Sequence, residues 1–155
     1  DLAREAVRRY KFGGGQNHAA MLGTLMVQCL RERWDGPADS ITWAPLSARR
    51  LRERGYDQAE LLAKATAREL GRCAEPLLEK FRDIPPQSGI QDAARRKANV
   101  LGVYRMRPGA AVQGKRVLLI DDILTTGATL GEAARVLMEA GAGEVQVAVL
   151  AAARK

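Results

Sequence analysis

Beyond Gln16, apolar residues recur at spacings of three and four: Leu22, Leu25, Met26, Cys29 and Leu30 mark the stripe of an amphipathic helix that ends before Gly36-Pro37. Residues 1–10 are charged enough to predict a short solvated helix, and Gly13-Gly14-Gly15 breaks it into a turn. Residues 40–44 (SITWA) are β-branched and aromatic and are closed by Pro45, which predicts a strand. A further helix follows over 56–70, carried by Ala59, Leu62, Ala63, Thr66 and Leu70 and stopped by Gly71. Residues 75–81 predict another short strand.

From Arg82 to Gln91 the chain holds Pro85, Pro86, Ser88 and Gly89 with little apolar content, the pattern of a mobile surface loop of the kind that closes as a lid. Helical character resumes over 92–101, a brief strand is expected over 103–106, and Pro108-Gly109 turns the chain. Residues 116–122 (RVLLIDD) are a continuous apolar run ending in two acids, which suits a strand covered on both faces in a parallel sheet. A helix over 127–140, with Leu130, Ala133, Ala134, Leu137 and Met138 on one face, leads to a last strand over 145–150. Strand and helix alternate, so the expected fold is α/β, an open and mainly parallel sheet flanked by helices. A single domain over 1–155 is expected, with 38–155 as its core.

At 155 residues, with 46% hydrophobic and 28% charged positions, the chain is long enough for one core and ordinary enough in composition to exclude a disordered or fibrous class. The longest uncharged apolar stretch, 19–30, is too short to cross a bilayer. Cys29 and Cys73 offer neither a disulfide framework nor metal-ligand spacing, which points to a reducing, cytoplasmic setting and no membrane insertion. Charge does alter the picture. The net charge is +7, and 19 of the 25 basic residues are Arg, so anionic partners are expected.

The acids at the end of the apolar run are the chemical focus. Ligands of an open parallel sheet bind at the carboxyl ends of its strands, where this chain presents Asp121 and Asp122 followed by Ile123-Leu124-Thr125-Thr126-Gly127-Ala128-Thr129. A loop of small and hydroxylated residues entering a helix directs backbone N–H groups and the positive helix end at one point, which makes a phosphate cradle. Gly127 and Ala128 allow close approach, and Thr125, Thr126 and Thr129 add hydroxyl donors. The two carboxylates suit neighbouring sugar hydroxyls, or Mg²⁺ held directly or through water. Together they describe a ribose 5-phosphate. A plain helix cap would need only one of these hydroxyls. Neither G-x-G-x-x-G between strand and helix nor G-K-[ST] is present, so the dinucleotide-binding and P-loop alternatives fail.

The run VLLIDDILTTGAT resembles the signature of type I phosphoribosyltransferases, which bind phosphoribosyl pyrophosphate (PRPP). Lys11-Phe12-Gly13, Ala44-Pro45-Leu46, the stretch RRLRERGYDQ at 49–58, and Gln87 with Arg96, Asn99 and Val100 extend the likeness to the competence protein F (ComF) branch. Two departures stand out: the family usually has Asn at the position of Asp57, and a four-cysteine zinc module common in it is not expected in this segment. The resemblance implies the type I fold with a small N-terminal hood, here 1–37. It also implies that Ser47, Ala48 and Arg49 receive pyrophosphate and that 82–91 is the closing catalytic loop. In that loop, Arg82, with Arg96 beyond it, would stabilise the departing anion together with Mg²⁺ bound at Asp121 and Asp122. Arg50, Arg52 and Arg54 fit a basic helix face, a nucleic-acid contact or ion pairs with Glu53 and Glu60 equally well.

Purine enzymes resembling hypoxanthine-guanine transferases carry an acid at the position of Thr125, so a 6-oxopurine acceptor is disfavoured. His18 is assigned no role, and Trp34 and Trp43 are expected to pack. The family likeness and the positive charge also support a second class of function, a non-catalytic partner that handles single-stranded DNA alongside DNA-uptake proteins. A regulator that senses PRPP without turnover would keep the same site. An oligomer is as compatible with the sequence as a monomer.

Overall fold

The structure, a computed structural model, describes residues 19–81, 101–124 and 127–152. The expected helices over 1–10 and 92–101 and the loop over 82–91 lie outside these residues. In chain order the elements are α1 (Ala19–Arg33), β1 (Ser40–Trp43), α2 (Ala48–Arg54), α3 (Gln58–Glu69), β2 (Leu78–Lys80), β3 (Tyr104–Met106), β4 (Arg116–Leu124), α4 (Ala128–Glu139) and β5 (Glu144–Ala152).

β4 is the centre of the sheet. It pairs in parallel with β1 on one side, Ser40 opposite Val117, and with β5 on the other, Arg116 opposite Glu144. Val117, Leu118, Leu119 and Ile120 are all fully buried, as a strand covered on both faces requires. Alternation along the strand sends Leu118 and Ile120 into one core and Val117 and Leu119 into the other. The first core is closed by α1 and α3 through Leu22, Met26, Leu30, Leu62 and Ala63. The second is closed by α4, through Leu130, Ala133 and Leu137, and by Val103 and Tyr104.

Where one open sheet was expected, β2 and β3 form a separate antiparallel pair. Isolated parallel bridges, Ile41 with Ala74 and Ser47 with Lys80, align the approach to β2 and its last residue with β1 and the residues beyond it. The backbone between is tied by Glu75 N–H to the Ile41 carbonyl and by Leu77 N–H to the Thr42 hydroxyl oxygen.

α2 begins inside the segment that the resemblance gives to pyrophosphate, at Ala48 and Arg49, and continues through Arg50, Arg52 and Arg54 as the basic helix that was one reading of them. Ser47 caps it, its Oγ accepting from Arg50 N–H at 3.3 Å, and Gly55 ends it in the left-handed region at φ 82°. At the opposite edge of the sheet, the Arg116 guanidinium lies 4.6 Å from the centre of the Trp34 ring and donates to Glu144 at 2.7 Å. Trp34 Nε1 donates to the same carboxylate at 3.1 Å, so Glu144 is held below its ordinary pKa first by Arg116 and then by Trp34. This latch joins the end of α1 to the start of β4 and β5.

Candidate functional site

Asp121 and Asp122 stand near the carboxyl end of β4, which runs two residues further than the sequence pattern indicated. Asp122 N–H donates to Asp121 Oδ1 at 2.8 Å. Burial holds the Asp121 carboxyl well above its ordinary pKa, and the side chain and charge of Asp122 push in the same direction. Beyond the strand, Gly127 caps α4 at φ 79°, a left-handed conformation that residues with a Cβ adopt only with strain. Gly127 brings no side-chain cap of its own, and the first turn of α4 holds no acid. Ala128 and Thr129 form that first turn. Thr125 and Thr126 of the expected cradle lie outside the described residues, as do Arg82 and Arg96.

Asp57 fixes the other wall. Its Oδ1 accepts from Ala59 N–H at 3.0 Å and Glu60 N–H at 3.4 Å, capping α3. Its Oδ2 accepts from Leu46 N–H at 2.9 Å, tying the segment after β1 to the start of α3. Burial raises the pKa of Asp57, opposed in order by the N–H groups of Leu46, Glu60 and Ala59.

The Leu46–Asp57 pair separates two cavities and lines both. On one side a pocket of about 110 Å³ brings Asp121 and Asp122 together with Arg50, Arg54 and Gln58. On the other a cleft of about 650 Å³ opens over Ser47, Ala48 and Arg49 and runs beneath β2 and β3, past Lys80, Phe81, Arg105 and Arg107. The sequence-predicted pyrophosphate residues therefore line the larger cleft, and the acids line the smaller pocket. Trp43 is buried in the core and lines the larger cleft. Tyr104 is buried in β3. Burial, then the charges of Asp121 and Asp57, raise its hydroxyl pKa.

Sequence reasoning set Arg50 and Arg54 behind Arg49 and gave Gln58 no role. The available signal was the spacing of four between the two arginines, which puts them on one helix face. Gln58 is 3% exposed, and its Oε1 accepts from Arg54 Nη1 at 2.8 Å.

The family model described as the phosphoribosyl transferase domain matches residues 57–155, a span that holds Asp57, the acid pair and the opening of α4. The chain belongs to the phosphoribosyl transferase domain family. This phosphoribosyltransferase domain is 34% identical over 147 residues to the DNA utilization protein YhgH of Salmonella typhi, covering 91% of the chain and 63% of the relative. It is 30% identical over 141 residues to competence protein ComFC of Bacillus subtilis, covering 91% of the chain and 55% of the relative. The chain thus spans less than two thirds of these curated relatives. Among solved structures, the glutamine PRPP amidotransferase of B. subtilis, complexed with ADP and GMP, superposes with a TM-score of 0.59 at 26% identity. That match covers 88% of the phosphoribosyltransferase domain and 26% of the amidotransferase chain.

Proposed function

We propose that the protein binds PRPP with Mg²⁺ and transfers its phosphoribosyl group to an acceptor, as a ComF-type phosphoribosyltransferase. One observation carries the reading: a half-buried acid pair at the end of the central strand, followed by a helix that begins at Gly127 with no acid in its first turn. Asp121 and Asp122 would accept from the ribose hydroxyls, and the start of α4 would receive the 5-phosphate. Mg²⁺ is commonly held by one or two carboxylates and completed by phosphate oxygens and water. Asp121 and Asp122 would hold it. Bound Mg²⁺ supplies charge neutralisation for the phosphate oxygens. In the reaction the bond from ribose C1 to pyrophosphate breaks and a bond from C1 to the acceptor nucleophile forms. Arg49 in the cleft, with Arg82 and Arg96, would stabilise the pyrophosphate anion.

Calorimetric titration with PRPP, with and without Mg²⁺, tests the reading. We expect saturable, metal-enhanced binding that falls at least about tenfold in Asp121→Asn/Asp122→Asn, since charge-assisted hydrogen bonds are lost. Equal binding by the double variant removes the site from Asp121 and Asp122.

A second reading is favoured by the larger cleft. Phe81 is 49% exposed there, the Arg105 guanidinium lies 4.9 Å from the centre of its ring, and three further cations line the walls. A flat base with a phosphate backbone suits such a surface. With relatives named for DNA utilization and competence, this supports handling of single-stranded DNA.

A further inference from the structure

At the end of the central strand away from the acid pair, the latch frames a pocket as well as joining elements. Arg116 stacks on Trp34, and its two terminal nitrogens donate to the Asp35 carbonyl at 2.6 Å and the Pro37 carbonyl at 3.2 Å. Trp34 is fixed a second time through Nε1, which donates to Glu144. One guanidinium thus sets both the ring and the turn that follows it. Between these and the end of α3 lies a pocket of about 120 Å³, its lining made apolar by Leu30, Trp34, Pro37 and Leu70.

The charge beside this lining has one sign. Arg31, in the last turn of α1, and Arg72, placed beyond α3 by its N–H to the Ala67 carbonyl at 2.8 Å, both line the pocket and both are exposed. Neither guanidinium has a hydrogen-bond or ion-pair partner among the described residues. Arg105, Arg116 and Arg135 each hold a carboxylate, so these two stand apart from them. No acid lines the pocket, although Glu32, Asp35 and Glu69 are near in sequence.

Size and charge decide the occupant. A site that encloses a whole small molecule has about 300–1,000 Å³, whereas this one has room for a single aliphatic side chain from a segment lying across the surface. An apolar anchor in a pocket beside arginines is the arrangement that carries most of the binding energy in protein interfaces. Walls already set by the latch reduce the ordering cost of binding. We propose that this pocket docks an acidic peptide segment of a partner protein. One aliphatic side chain enters between Trp34 and Leu70, and carboxylates on either side of it meet Arg31 and Arg72. The charge complementarity of two unpartnered cations argues for that partner, and the site stands independently of PRPP.

The test is an amide-correlation NMR titration of the nitrogen-labelled full chain at about 0.15 M salt, where distant charges are screened. The probe is a blocked pentapeptide with leucine at its centre and an acidic residue at each of the other four positions. The chain has two tryptophans, so the indole N–H signals of Trp34 and Trp43 are the readout, assigned with Trp34→Phe. We expect a saturable shift of Trp34 with Trp43 unmoved. Alanine in place of the peptide's leucine should weaken binding at least about tenfold. Arg31→Gln/Arg72→Gln should weaken it at least about threefold, and the equal-charge control Arg33→Gln/Arg68→Gln by less than about 1.5-fold. All four arginines are exposed, so the variants are expected to fold, which thermal melts verify.

No shift of Trp34 up to about 5 mM peptide overturns the site, as does equal binding of the alanine peptide or an equal loss in the two arginine variants. A shift at Trp43 alone moves the peptide to the larger cleft. Two other occupants have their own signatures, and either would replace the partner protein. Binding of 4-methylpentanoate as tight as that of the peptide assigns the pocket to a small organic acid, and a Trp34 shift that follows protein concentration without peptide assigns it to a second copy of the chain.

Discussion

Asp57 uses each of its oxygens for a different partner, and an amide cannot copy that. Asparagine offers one carbonyl oxygen, so if it keeps the α3 cap its NH₂ faces the Leu46 N–H, donor against donor. The aspartate therefore pins the segment between the two cavities in a way asparagine would not. Burial is the largest influence on its pKa, raising it above the ordinary 3.8. A carboxyl with a raised folded-state pKa holds its proton more tightly in the folded protein than in the unfolded chain. Its contribution to stability is full below about 3.8 and declines as pH rises through the raised value. Asparagine does not titrate. We expect Asp57→Asn to be less stable by about 1–2 kcal/mol at acid pH, from the lost hydrogen bond. The gap between wild type and variant should narrow as pH is raised from about 3.5 to about 6. Urea denaturation across that range checks it, and a gap that widens with pH contradicts the assignment.

The packing of α1 on α3 depends on a missing side chain. A Cβ on Gly23 would lie 2.9 Å from both the carbonyl carbon and the Cβ of Ala65 and 3.1 Å from Thr66 N, and most of that obstruction is backbone. Gly23→Ala gains up to about 1 kcal/mol in helix propensity, but forcing the helices apart costs about 1–3 kcal/mol. We expect a net loss of about 1–2 kcal/mol in chemical denaturation; a stabilised variant would show that the helices separate freely.

The same elements explain what sequence could convey. α1, α3 and α4 bury one face each, so their apolar residues recur at three and four, although Leu25, Cys29 and Met138 of the predicted stripes face out and Val27 takes a buried place in α1; β4 buries two faces, so its apolar residues run unbroken. α2 buries no residue and leaves no period, only the caps Ser47 and Gly55. The acid pair and Gly127 were legible because β4, loop and helix are contiguous in the chain. The Arg50, Arg54 and Gln58 wall was not. It reaches the acids only through the β1–β4 pairing and the return of the chain at Asp57, and such long-range register has no local signature. For the same reason the strand pattern did not reveal that β2 and β3 pair apart from the main sheet.

Across the protein, the Trp34–Arg116–Glu144 latch and the candidate site occupy opposite ends of the central strand. Residues that hold α1 to the strands are thereby kept away from the candidate site. The larger cleft carries both signs of charge: Arg49, Lys80 and Arg107 line it with Asp57, Glu60 and Glu79, and Phe81 is exposed in it. If the cleft takes single-stranded DNA through these three cations, the affinity for a labelled oligothymidine should fall with salt at a log–log slope of about −2. Phe81→Ala should weaken binding by about 1–3 kcal/mol through lost stacking. Fluorescence anisotropy measures both, and binding that is absent or insensitive to salt removes DNA from the cleft.

The pairing of β1 with β4 bears on how the protein is made. Asp39 and Arg116, which join the two strands at their starts, are 77 positions apart, and among the described residues β1 has no other full strand beside it. At the usual rate of about 5–20 residues per second, a ribosome takes about 4–15 seconds to supply the partner. Until then Ile41 and Trp43, both buried in the finished sheet, lack the strand that covers their edge. Synthesis of this chain thus includes an interval in which β1 is open to wrong partners, and slower translation lengthens it.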